Sequence, residues 1–81
     1  MEHITFYFRQ GSSDKVYQAA IEPKDGAFVV TFAYGRRGAT LATGTKTQTP
    51  VNYDEAKRIY DKLVVVKTAK GYTPGADGTP Y

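Results

Sequence analysis

The 81 residues allow one small domain, and they exclude several chemistries at once. With no Cys and a single His at position 3, there is no disulfide framework, no thiolate metal site and no His-based triad. The formal charge of +3 is unevenly placed: residues 1–35 carry three Lys/Arg against four acids, and residues 36–70 carry eight against three. Charge gathered in one half favours a polyanionic partner, although a solvated Lys-rich helix produces the same count. No run approaches the roughly 18 apolar residues of a membrane span. Met1-Glu2-His3 lacks the basic and apolar regions of a signal peptide. The expectation is a soluble, cytoplasmic, monomeric domain over 1–72 that contacts no membrane, with a mobile tail over 73–81.

In chain order, residues 3–9 alternate, with Ile4, Phe6 and Phe8 on one face, which predicts a half-buried strand. Gln10 to Asp14 reads as a loop by composition. Lys15 to Glu22 predicts a second strand with Tyr17, Ala19 and Ile21 inward. Asp25-Gly26 is the signal of a tight hairpin leading into a third strand, Ala27 to Tyr34. The β-branched run ending at Pro50 predicts a fourth strand, Thr43 to Thr49, with Gly44 marking a bulge or a close backbone approach. Asn52 with Glu55 three residues on predicts a capped helix start. Ala56, Ile59, Tyr60, Leu63 and either Val66 or Lys67 form its apolar stripe. Asp54 and Arg58 are spaced to pair. Val64-Val65-Val66 argues against helix, but Gly71 supplies a stop. The fold class is therefore α+β: an antiparallel sheet of about four strands with one C-terminal helix packed on it.

The chain is organised around Tyr34-Gly35-Arg36-Arg37-Gly38, where the third strand ends. An aromatic ring beside two guanidiniums suits stacking on a base or sugar together with phosphate pairing. The same residues also describe a half-buried core Tyr next to a solvated turn, so both readings stay open here. Gly38 to Lys46 does not make a phosphate loop. Five residues instead of four separate Gly38 from Gly44, and Thr45 precedes the Lys. Gly35-Arg36-Arg37-Gly38 has the spacing of a KH loop but no flanking helices. No carboxylate pair is placed for acid/base work. No enzyme, cofactor or metal site is expected.

Five blocks, in order, resemble the WGR domain, a module named for a Trp-Gly-Arg motif. They are residues 11–17, Tyr34 to Gly38, Lys46 after Gly44-Thr45, Tyr53-Asp54-Glu55-Ala56, and Lys67 to Tyr72. Such domains occur in DNA-damage-responsive poly(ADP-ribose) polymerases and in small bacterial proteins. The resemblance implies an antiparallel sheet with one helix and a module that binds DNA beside strand breaks. It makes Tyr34 the stacking residue, in place of the family Trp, and Arg36 the motif arginine. The expected nucleic-acid site is Tyr34, Gly35, Arg36, Arg37, Lys15 and Lys46, with DNA as the first partner. The alternative is a protein-interaction module that docks an acidic partner through the same turn.

Overall fold

The structure is a computed structural model, and it describes residues 2–74. Four antiparallel strands lie in chain order across one sheet: β1 (His3–Gln10), β2 (Ser13–Lys24), β3 (Ala27–Arg36) and β4 (Ala42–Thr45). One helix, α1 (Tyr53–Ala69), covers one face. The α+β expectation holds.

Register decides which residues share that face. Phe6 lies opposite Tyr17 and Tyr17 opposite Tyr34; Ile4, Ala19 and Phe32 form the next row, and Ile21 pairs with Val30. All of these side chains except Tyr34 meet Ala56, Tyr60 and Leu63 of α1 in a single core. Phe6, Ile21 and Val30 are fully buried, and each contributes about 1.5–3 kcal/mol of hydrophobic stabilisation. The middle of the opposite face carries small and polar side chains. Thr5, Gln18, Ala20, Thr31 and Thr43 line a shallow trough of ≈ 560 Å³ there.

Several predicted boundaries move. The loop expected over Gln10 to Asp14 shrinks to Gly11-Ser12, because Gln10 pairs with Ser13 and Arg9 with Asp14. β2 correspondingly runs longer than Lys15 to Glu22. The Asp25-Gly26 hairpin forms as predicted, with φ of 52° and 79°. The fourth strand is only four residues long and does not reach Thr49. Past it the Lys46 N–H still donates to the Val30 carbonyl, but the Val30 N–H then donates to the Thr47 hydroxyl at 3.4 Å. A side chain has replaced the backbone acceptor there, and the ladder ends.

The Asn52 side chain caps α1, accepting the Glu55 N–H at 2.8 Å. The Glu55 carboxylate itself turns to Arg58, whose Nε donates to it at 2.9 Å. Arg58 thus pairs at i,i+3 with Glu55 and not, as expected, at i,i+4 with Asp54. At the other end the Tyr72 N–H donates to the Lys67 carbonyl and the Gly71 N–H to the Thr68 carbonyl. This is a Schellman stop, and it turns Tyr72 back onto the sheet. Thr73, expected as the first residue of a mobile tail, is buried and exchanges two backbone hydrogen bonds with Tyr7 at the edge of β1. The remainder of that expectation, over 75–81, lies outside the described residues.

Candidate nucleic-acid interface

The antiparallel register sets Tyr17, Phe32 and Tyr34 side by side on the helix-covered face. Their rings are nearly parallel: Tyr17 to Phe32 at 6.1 Å and 4°, Phe32 to Tyr34 at 6.0 Å and 15°, Tyr17 to Tyr34 at 6.4 Å and 19°. The sequence of β4 makes room for them. Tyr34 lies opposite Ala42 and Phe32 opposite Gly44. A Cβ at position 44 would sit 2.5 Å from the Phe32 ring, so a side chain crowds this glycine, in place of the bulge or close backbone approach expected. Gly44→Ala therefore forces the ring aside, at about 1–3 kcal/mol; chemical denaturation measures the loss.

Exposure grades along the row. Tyr17 is 5% exposed and belongs to the core, while Tyr34 is 49% exposed. The strand leaves Tyr34 through Gly35, against which Leu41 packs: a Cβ there would lie 3.1 Å from its Cδ2. The chain then reverses over Arg36–Ala39, closed by the Ala39 N–H donating to the Arg36 carbonyl at 3.1 Å. Gly38 occupies the third position at φ 84°, the pattern of a type II turn, in which glycine is favoured.

Cations surround the aromatic row. Lys15 lies opposite Arg36, so both share the face of Tyr34. The Lys15 amine is 5.8 Å from the Phe8 ring centroid. The Lys46 amine is 5.2 Å from the Phe32 ring. The Lys67 amine is 4.1 Å from the Tyr17 ring and 5.4 Å from the Tyr72 ring. Ring faces attract such cations. Burial, and then the charges of Lys70 and Lys46, hold the Lys67 amine below the ordinary lysine range. An anion placed among these amines relieves their mutual repulsion.

Of the six expected site residues, Tyr34, Gly35, Arg36, Lys15 and Lys46 come together around this surface. Arg37 does not. It turns to the other face, where its guanidinium lies 4.8 Å from the Tyr7 ring and 3.8 Å from the Asp14 carboxylate, and its N–H donates to the Asp14 carbonyl at 2.8 Å. Strand alternation explains the split, since adjacent residues leave a strand on opposite sides. Lys67 and Tyr72 had not been singled out as site residues. Their signal was a lysine four residues after Leu63, on the inward stripe, just before a glycine stop.

Beyond the aromatic row a groove of ≈ 440 Å³ runs along α1. Arg58, Lys62, Lys67 and Lys70 line it, with Lys46 contributed from beyond β4. Among the described residues no group of His, Cys, Asp or Glu could hold a metal, and no helix is long and apolar enough to cross a membrane.

A sheet with one helix on one face and a half-exposed aromatic at a basic rim defines a small binding module. The sequence model of the WGR domain matches residues 2–79, and the chain belongs to the WGR domain family. WGR domains are a nucleic-acid-binding module type, with binding and regulatory roles and no catalytic one. No curated protein and no solved structure matches the chain significantly.

Proposed function

We propose that this domain binds DNA through the Tyr34 ring, with Lys15, Arg36, Lys46 and Lys67 taking the phosphates. One observation carries the reading: a half-exposed ring, backed by two near-parallel rings, on the same face as these four cations. An aromatic used only for packing gains nothing from that exposure. A ring held flat by its neighbours offers a platform for a base or sugar, and the cations fix the adjoining backbone. A DNA end is the preferred target, because a terminal nucleotide presents an unstacked face that an internal base pair does not. The domain acts without chemistry of its own, by holding its ligand.

Salt titration tests the phosphate contacts. Affinity for duplex DNA falls linearly on a log–log plot, by about 0.9 in slope for each phosphate neutralised. Changing Arg36 and Lys46 together to Ala lowers that slope by up to about 1.8. Arg37→Ala leaves it near the parental value, because Arg37 is engaged on the opposite face. If the double variant keeps the full slope with its fold intact, those two residues do not contact phosphate.

A further inference from the structure

We infer that the groove along α1 is a second docking surface, for an acidic protein segment that presents a short apolar face. Three of its cations, Lys62, Lys67 and the Glu55-paired Arg58, lie on the helix and Lys70 is its C-cap; from Arg58 to that cap the helix rises about 18 Å. Among the described residues the lining holds no carboxylate. Its floor is aliphatic: Ile59, Leu63 and Val66. That floor separates the groove from the aromatic row. A nucleic-acid strand stacks its bases on rings, and no ring lines the groove; aliphatic side chains under a cationic rim complement an acidic peptide's apolar anchors and carboxylates.

The helix sequence points the same way. Val64-Val65-Val66 loses side-chain freedom in a helix, yet Val65 and Val66 are exposed, Val66 by 41%. They add little to the domain's own core. A partner that covers Val66 gives this exposed apolar surface a use. The inference does not rest on the DNA reading: the groove shares Lys46 and Lys67 with the surface around Tyr34, but Lys62 and the aliphatic floor belong to the groove alone.

The test is an amide-shift titration of the full chain with a short synthetic peptide. The peptide carries Leu at i, i+3, i+4 and i+7 and Glu elsewhere, and a Glu-only peptide and a single-stranded oligonucleotide are run beside it. The Leu/Glu peptide is expected to saturate and to move the amides of Ile59, Lys62, Leu63 and Val66. Val66→Ser weakens it about tenfold, the size of one buried anchor, while Tyr34→Ala leaves it unchanged. Three results overturn the inference: no saturable shifts, equal binding of the Glu-only peptide with no effect of Val66→Ser, or shifts at Ile59, Lys62, Leu63 and Val66 larger with the oligonucleotide than with the peptide. Failure of the DNA reading is seen elsewhere, as missing oligonucleotide shifts at Tyr34 and Arg36.

Discussion

Tyr34→Ala is expected to weaken oligonucleotide binding by about 1–3 kcal/mol, the cost of one lost stacking platform. Folding stability should fall by only about 1 kcal/mol or less, because a half-exposed ring on a sheet gives up mainly cross-strand contacts. Tyr34→Phe keeps the ring face and should bind nearly as well. Tyr34→Trp restores the family residue with a larger face and should hold or tighten binding. Fluorescence anisotropy and thermal unfolding on the three variants separate the two effects. If the Ala variant binds normally once corrected for its folded fraction, the ring is not the platform.

Its cross-strand partner should behave in the opposite way. Tyr17 is buried between Phe6 and Tyr34 in register and touches Phe32 and Tyr72. Tyr17→Ala removes the ring that backs Tyr34 and the face on which Lys67 rests. The expected cost is about 3–5 kcal/mol, a large share of the roughly 5–15 kcal/mol that holds a domain together. For a domain of this size each kcal/mol lowers Tm by about 4–8 °C, so the variant should melt at least about 12 °C below the parent. Tyr17→Phe keeps the packing and should retain most of that stability. A Tyr17→Ala protein with parental melting would mean the ring adds nothing to the core.

Most of the fold was legible because local signals agreed with tertiary need. Asp25-Gly26, the alternation in β1 and the Asn52 cap each specify geometry within a few residues, and each formed as read. The misread boundaries are places where distant partners decide. β4 stops early because Thr47 turns its hydroxyl to Val30, 17 residues away, and Thr73 is fixed by the β1 edge rather than by its neighbours. The site was legible in the same measure. Tyr34, Arg36 and Lys15 follow from strand alternation once β2 and β3 are in register. The same alternation takes Arg37 to the other face, which a motif read as one unit conceals. Gly71 marked the helix stop and the stripe allowed Lys67 an inward position, but the packing of Lys67 and Tyr72 against Tyr17 depends on how the helix docks on the sheet, which no local pattern encodes.

The surface around Tyr34 is tested most directly by mapping amide shifts of the full chain during titration with nicked, blunt and single-stranded oligonucleotides. Saturable shifts concentrated at Lys15, Tyr34, Arg36, Lys46 and Lys67, larger with substrates that offer an end, are the predicted result. Shifts centred instead on the opposite face, around Tyr7, Gln18 and Arg37, or no saturable shift with any of the three, would contradict it.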